Sequence, residues 1–200
     1  MNVAQMLTAG RAPRHLFPWN KNGKLNACLS PCGTAFLFDV CMPALHKTGF
    51  PMTGYGGYTV MEDSDQELKR HLQGVKHAKG RVLKTGLGFG CFVRMCLTKP
   101  EVQHIDVIEI NGRIIDHFGA EFRDDPRVTI HHEDAFAFDP TGYKWDFAWH
   151  DIYTEANEGL AHAHVRLIKR YLAHTKKQGA WQLPRETKKF VERHWPGLVV

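Results

Sequence analysis

Short apolar runs and helically spaced apolar residues alternate along residues 81–183. The apolar runs predict strands over 81–86, 105–110, 127–132, 145–152 and 179–183. Apolar residues that share one helical face predict helices over 90–98, 112–122 and 155–175. Strands that alternate with helices are typical of a parallel sheet with right-handed crossover connections and helices on its faces. The pattern therefore predicts an α/β fold.

The first 63 residues carry a weaker pattern. Residues 1–33 show no clear period and are expected to be irregular. The aromatic and apolar density of residues 34–42 and 58–61 predicts two strands. We therefore expect a small irregular and β-hairpin-like segment over 1–63, followed by one α/β domain over 64–200.

A helix is expected where that domain begins. Ser64 and Glu67 have the spacing of a capping box, in which each side chain bonds the backbone of the other residue. Apolar residues then follow at helical spacing, and Gly80 is a typical helix stop. The helix leads directly into the first strand of the alternating region.

A glycine-rich turn joins that first strand to its helix. Gly86, Gly88 and Gly90 would let backbone N–H groups approach a ligand without a Cβ clash, at the positive end of the helix. Glu109 ends the next strand, 19 residues after Gly90, where nucleotide-binding βαβ units place an acid for the ribose hydroxyls. The dinucleotide fingerprint requires a third glycine where Cys91 stands. The stretch favours an adenosine-containing ligand other than a dinucleotide; an ordinary tight turn that binds nothing is the alternative.

Polar residues also end the later strands. Asp134 follows the third strand, and His150 and Asp151 end the fourth. Because the carboxyl ends of parallel strands meet at one edge of the sheet, we expect Glu109, Asp134 and Asp151 to face one site. His150 is a candidate general base, or a strand-end histidine that is hydrogen-bonded to the backbone.

Four stretches resemble motifs I to IV of the class I S-adenosylmethionine (SAM)-dependent methyltransferase superfamily, with the spermidine synthase-like branch as the nearest in pattern. They are Val82–Gly90 with its G-x-G-x-G turn, Val107–Asn111, Asp125–Val128 with Asp134–Ala135, and Trp145–Asp151. The resemblance covers roughly residues 55–185. It implies a Rossmann-like, mostly parallel sheet with flanking helices and a shortened C-terminus. It also implies SAM as the cofactor, or S-adenosylhomocysteine (SAH) as its product.

The resemblance further implies roles for single residues. The cofactor-binding set would be Gly86, Leu87, Gly88, Gly90, Glu109, Ile110, Asp134 and Ala135. Within this set, Glu109 would bind the ribose hydroxyls and Asp134 would accept from the adenine amino group. Asp151 and His150 would be the catalytic pair, with Asp151 placed to orient or deprotonate the acceptor.

Two departures from the branch bear on the reaction. Its aminopropyltransferases carry a second acid three residues after the strand-four aspartate, where this chain has Thr154. The Tyr and Glu pattern of their upstream helix is not seen in Gln66–Leu72. We therefore favour a SAM-dependent methyltransferase that acts on an unidentified small acceptor. The alternatives are an aminopropyltransferase that uses decarboxylated SAM and a non-catalytic SAM or nucleoside binder.

Composition and charge limit the kinds of molecule that the chain is expected to bind. The chain has 43% hydrophobic and 24% charged residues, as soluble globular proteins do, which favours a cytoplasmic protein. No apolar run approaches the roughly 18 residues of a membrane span. The net charge of +5 is uneven, since residues 81–150 are acidic and both flanks are basic. The basic C-terminal third could attract nucleic acid, but solvated helix faces explain it better. A homodimer is left open.

The five cysteines predict neither a disulfide framework nor a metal site. Their odd number, in a chain that we expect to be cytoplasmic, argues against paired bridges. Cys28, Cys32, Cys41 and His46 are candidate zinc ligands, but their spacing is not that of a tight C-x-x-C site. We therefore expect no bound metal.

Overall fold

A computed structural model describes the backbone of residues 2–17, 19–20, 25–29, 34–40, 57–152 and 158–200. The N-terminal elements are helix α1 (Val3–Gly10) and strands β1 (Trp19–Asn20), β2 (Leu25–Leu29), β3 (Ala35–Val40) and β4 (Gly57–Glu62). The four strands form an antiparallel sheet in the order β1-β2-β3-β4. A 3₁₀ turn over Arg14–Leu16 lies between α1 and this sheet.

The expectation that residues 1–33 are irregular is wrong for three described elements. Helix α1 forms because Asn2 and Gln5 make a reciprocal capping box, each side chain accepting the other's backbone N–H at 2.9 Å. Strands β1 and β2 add to the two predicted strands, so the predicted hairpin is a four-stranded sheet. Residues 41 and 42 of the strand predicted over 34–42 lie outside the described residues.

The second part of the chain builds a parallel sheet with flanking helices. Its elements are α2 (Asp65–His77), β5 (Gly80–Thr85), α3 (Cys91–Leu97), β6 (Val102–Glu109), α4 (Gly112–Phe118), β7 (Val128–His132), β8 (Trp145–His150), α5 (Glu158–Tyr171), β9 (Thr175–Ala180) and α6 (Arg185–His194). The strand order is β7-β6-β5-β8-β9, and every neighbouring pair is parallel. The predicted Rossmann-like α/β sheet is therefore confirmed.

The core lies on both faces of the parallel sheet. On one face the rings of Phe92 and Trp149 stack with centroids 6.0 Å apart. Helix α2 packs closely against this pair, because a Cβ on Gly74 would lie 2.5 Å from the Trp149 ring. On the other face, the buried Trp145 contacts the ring of Tyr171 from α5. Helices on both sides thus seal β5, β6 and β8, whose buried residues are mostly apolar.

Two details differ from the predicted elements. The last strand spans Thr175–Ala180 rather than 179–183. Gly179 lies inside this strand, where its missing Cβ makes room for the Trp149 ring, which would otherwise be 2.7 Å away. Ser64 caps α2 by accepting the N–H of Glu67 at 3.2 Å. The Glu67 side chain contacts Arg70 and Trp181, so only half of the predicted capping box forms.

The chain folds back on the sheet after β9. Val191 of α6 is buried against α5, and a parallel bridge joins Val199 to Gln178 of β9. In the described part of the chain, no helix combines the length and the apolar character that a membrane crossing requires.

Candidate functional site

A cavity of about 480 Å³ opens at the carboxyl ends of β5, β6 and β8. The strand ends contribute Gly86, Gly88, Glu109, Asp134 and Asp151. The facing wall is made by Glu67, Arg70, Trp181 and Gln182. The chain proceeds from β5 to β6 on one side and reaches β8 on the other, so the strand order reverses at this point. Ligands of open α/β sheets bind in this crevice.

The glycine turn has the left-handed backbone that glycine favours. The φ angles of Gly86, Gly88 and Gly90 are +80°, +55° and +77°. A Cβ at Gly86 would lie 2.1 Å from the carbonyl oxygen of Asp151, and one at Gly88 would lie 2.3 Å from Sδ of Met61. The turn therefore needs glycine for packing within the protein as well as for access to the cavity.

Two predicted members of the turn lie away from the cavity lining. The side chain of Leu87 is buried in the core, and only its backbone N–H points toward Glu109. Gly90 caps α3 and faces the ring of Phe122. Gly86 and Gly88 are the members of the turn that border the cavity.

Glu109 connects the turn to the end of β6. Its Oε2 accepts the backbone N–H of Leu87 at 2.7 Å, and its Oε1 accepts that of Asn111 at 2.8 Å. The residue is 7% exposed and lines the cavity. Each carboxylate oxygen has a second lone pair, so the group can still accept from two hydroxyls. Ile110, 65% exposed, follows it at the cavity edge.

Asp134 and Ala135 line the cavity beyond β7. Oδ1 of Asp134 accepts the backbone N–H of Phe136 at 2.9 Å, which folds the chain around the carboxylate. The carbonyl of Ala135 accepts the hydroxyl of Tyr171 at 2.7 Å, which fixes this loop to α5. Ile108, Ile114 and Phe136 line the same cavity with apolar side chains. An acceptor beside apolar side chains suits a flat base with an amino group.

Asp151 lies at the cavity beside a buried cation that the sequence did not mark. Lys84 is in β5, is 2% exposed, and its Nζ lies 3.1 Å from Oδ2 of Asp151. The same Nζ donates to the carbonyl oxygen of Thr85 at 3.0 Å. Buried charges are found paired and hydrogen-bonded, as this one is. The ion pair holds the carboxylate of Asp151 at the end of β8.

His150 lies in the core and does not border the cavity. Its Nδ1 is 3.2 Å from Oγ1 of Thr85, and its Nε2 is 2.8 Å from Oε1 of Gln178. The ring also stacks on Tyr171. Burial lowers the pKa of His150 to about 4. This environment fits the interpretation of His150 as a strand-end histidine, bonded to side chains rather than to the backbone.

The wall that faces the strand ends comes from elements that sequence reasoning did not assign to the site. Glu67 of α2 accepts from Arg70 at 2.5 Å and from the indole N–H of Trp181, which follows β9. Burial raises the pKa of Glu67, the bonds from Arg70 and Trp181 oppose the rise, and the nearby charge of Asp151 adds to it. These contacts bring α2 over the end of β8. The charged residues of α2 were the available signal in the sequence for this wall. The sequence does not show which residues Glu67 and Arg70 contact, because those contacts depend on the tertiary structure.

Gln182 is the one non-glycine residue with a positive φ, +48°, among those that the structure describes. Such strained backbone is concentrated at binding and catalytic sites. Gln182 is also part of the cavity wall. The strained turn thus holds a carboxamide at the same edge as Asp151.

The remaining candidates for chemistry are cysteines and histidines. Cys28 lies in β2, and Cys32, Cys41, His46 and Thr154 lie outside the described residues. Within the described ranges, no three His, Cys, Asp or Glu side chains gather as metal ligands would. Cys91 is buried, and burial raises its thiol pKa to about 11. The cavity therefore offers carboxylates, a guanidinium and a carboxamide as its polar groups.

No protein-family model matches the chain. No curated protein matches it either. Solved structures align with it in part. A protein proposed to be an RNA methyltransferase from Pyrococcus horikoshii aligns over 63% of this chain and 61% of its own, with 11% identity and a TM-score of 0.48. Spermidine synthase from Thermotoga maritima aligns over 63% and 46%, with 17% identity and a TM-score of 0.41.

The SAM-bound CalS10, an amino pentose methyltransferase from Micromonospora echinaspora, aligns over 55% of this chain and 44% of its own, with 20% identity and a TM-score of 0.38. In all three alignments the matched part is less than two thirds of the solved chain. The likeness concerns the fold alone, and the chain's own strand order defines that fold as a Rossmann-like parallel sheet.

Proposed function

We propose that this protein binds SAM in the cavity and transfers its methyl group to a small acceptor. The observation that carries the proposal is the placement of Gly86, Gly88, Glu109 and Asp134 around one crevice, where the strand order reverses. An open α/β sheet binds its ligand at this position. The cavity also has the size and the mixed apolar and polar lining of a small-molecule site.

The adenosine part would occupy the β6–β7 side of the cavity. Glu109 would accept from both ribose hydroxyls with the lone pairs that its backbone bonds leave free. Asp134 would accept from the adenine amino group, while Ile108, Ile114 and Phe136 would cover the base. The methionine part would then pass Gly86 and Gly88 toward Asp151.

The hydrogen bonds of the turn favour SAM over a dinucleotide. A pyrophosphate needs free backbone N–H groups at the glycine turn. Here the N–H of Leu87 is bonded to Glu109, that of Phe89 to Sδ of Met61 at 3.1 Å, and that of Gly90 to a carbonyl at 2.9 Å. The third glycine of the dinucleotide fingerprint is replaced by the buried Cys91. SAM has no pyrophosphate and does not require these donors.

Methyl transfer depends mainly on how the protein positions the donor and the acceptor, and less on acid or base side chains. The acceptor's lone pair attacks the methyl carbon in line, the carbon–sulfur bond breaks, and its electrons return to sulfur to give SAH. If the acceptor carries a proton, a carboxylate or water removes it. Asp151 is the carboxylate that we assign to orienting the acceptor, because the ion pair with Lys84 holds it at the end of β8.

Isothermal titration calorimetry tests the proposal directly. We expect SAM and SAH to bind at one site and NAD to give no heat of binding. Gly88→Val should abolish binding, since its Cβ would meet Met61 beside the cavity. Gly142→Val is the matched control, because Gly142 also has a positive φ, +84°, and no atom lies within 4 Å of its Cβ position. Binding of NAD by the wild-type protein without binding of SAM or SAH contradicts the proposal.

A further inference from the structure

Arg70 is the one lysine or arginine among the described residues that line the cavity. It lies on α2, on the wall that faces the ends of β5 and β8. The adenosine-side acids, Glu109 and Asp134, are on the other side, at the ends of β6 and β7. A ligand that extends from Glu109 past Gly88 therefore approaches the Arg70 side of the cavity.

The guanidinium of Arg70 is held in place by a buried acid. Its NH1 lies 2.5 Å from Oε2 of Glu67, whose side chain is 8% exposed. Glu67 is fixed in turn by the indole N–H of Trp181. The ion pair occupies one nitrogen of a group that has five N–H donors, and the Arg70 side chain is 39% exposed. Arg70 is thus oriented by Glu67 and open to a ligand.

SAM and decarboxylated SAM differ at this end of the molecule. SAM ends in an α-amino group and an α-carboxylate, whereas the decarboxylated form ends in an amine alone. A guanidinium binds a carboxylate through two parallel charge-assisted hydrogen bonds, and it repels an ammonium group. The guanidinium of Arg70 is therefore the group on this wall that distinguishes the two molecules.

We propose that Arg70 binds the α-carboxylate of SAM and so selects SAM over its decarboxylated form. The inference rests on the proposed function, and it specifies which donor the cavity accepts. A donor with its carboxylate intact supplies a methyl group, while the aminopropyl group is transferred from the decarboxylated donor. Selection of the intact donor by Arg70 therefore excludes aminopropyl transfer at this site.

Calorimetric titration of four proteins with SAM and with decarboxylated SAM tests the proposal. The wild type should prefer SAM. Arg70→Met should lower the affinity for SAM by about 10- to 100-fold, the range for lost charge-assisted hydrogen bonds, without weakening the binding of decarboxylated SAM. Lys69→Met is the matched control, because Lys69 is the exposed neighbour on the same helix and lies outside the cavity. It should change neither affinity.

The fourth protein distinguishes the loss of a contact between Arg70 and the ligand from the effect of leaving Glu67 unpaired. Arg70→Met leaves Glu67 without its partner, so the double variant Glu67→Gln/Arg70→Met removes both charges and should show the same loss of preference. An equal loss for both ligands in Arg70→Met, or a wild type that binds the two equally, overturns the assignment of Arg70 while the SAM site stands. If neither ligand binds the wild type, both the assignment and the proposed function are wrong.

Discussion

Replacing Asp151 by asparagine should destabilise the protein, because it leaves the buried ammonium group of Lys84 without its counter-ion. Nζ of Lys84 has three acceptors: the carbonyl of Thr85 at 3.0 Å, the carbonyl of Asp151 at 3.4 Å, and Oδ2 of Asp151 at 3.1 Å. Asp151→Asn keeps the two carbonyl acceptors and removes the one negative charge among them. The neutral side chain cannot offset the cost of keeping the cation out of water.

The size of the effect follows from burial. Breaking a buried ion pair by removing one partner costs about 3–5 kcal/mol. The side chain of Lys84 is 2% exposed, while that of Asp151 is 12% exposed and borders the cavity, so water can reach the remaining groups in part. We therefore expect the lower end, a loss of about 3 kcal/mol in the free energy of unfolding. Lys84→Met/Asp151→Asn should recover to within about 1 kcal/mol of the wild type, since two neutral side chains of similar volume replace the ions and no buried charge is left unpaired.

Urea unfolding of the wild type, both single variants and the double variant measures the coupling between the two residues. A coupling free energy of about 2 kcal/mol or more supports the pair. Additive effects, within about 0.5 kcal/mol, would show that Lys84 and Asp151 do not stabilise each other. The double variant is also the one in which to test the catalytic role of Asp151, because it should stay folded. It should bind SAH but lose turnover, which can be measured once an acceptor is known.

Three further changes have defined outcomes. Glu109→Gln removes the charge and one backbone acceptor, so SAH affinity by calorimetry should fall about 10- to 100-fold; unchanged affinity excludes the ribose role. In urea unfolding, Gln182→Gly should be about 1 kcal/mol more stable than Gln182→Ala, because φ at this position is +48°. At Lys189 in α6, the control position, the alanine variant should be more stable than the glycine variant. The same order of stability at both positions would show that the backbone at Gln182 is not strained. Burial lowers the pKa of His71 from 6.5 to about 4. As the pH falls, His71 is therefore protonated in the unfolded chain before it is protonated in the folded protein. Stability should be full above pH 6.5 and fall toward pH 4, and in His71→Leu the fall should be smaller; an equal fall removes His71 as a cause.

The side of the cavity formed by the strand ends could be predicted from the sequence because it depends on topology alone. Glu109 and Asp134 end neighbouring parallel strands, and parallel strand ends meet at one edge whatever the detailed packing is. The glycine turn carries its own local signal, since a positive φ at Gly86 and Gly88 needs glycine. The sequence alone therefore predicts that these residues share one crevice.

The opposite wall could not be predicted, because its contacts join residues far apart in the chain. Glu67 meets Trp181 only once α2 has packed over the end of β8, and apolar spacing does not specify that neighbour. In the sequence, Lys84 interrupts an apolar strand, and only the structure shows Asp151 beside it. The sequence pattern predicts that Gly179 ends a helix, but in the structure this residue makes space for Trp149 inside β9.

A crystal structure of the protein grown with SAH would show whether the cavity binds the cofactor product. We expect SAH in the cavity, with both ribose hydroxyls on the carboxylate of Glu109 and the adenine amino group on Asp134. The homocysteine carboxylate should lie on the guanidinium of Arg70. A cavity that stays empty at saturating SAH, or SAH bound at another surface of the molecule, would show that this crevice is not a SAM site.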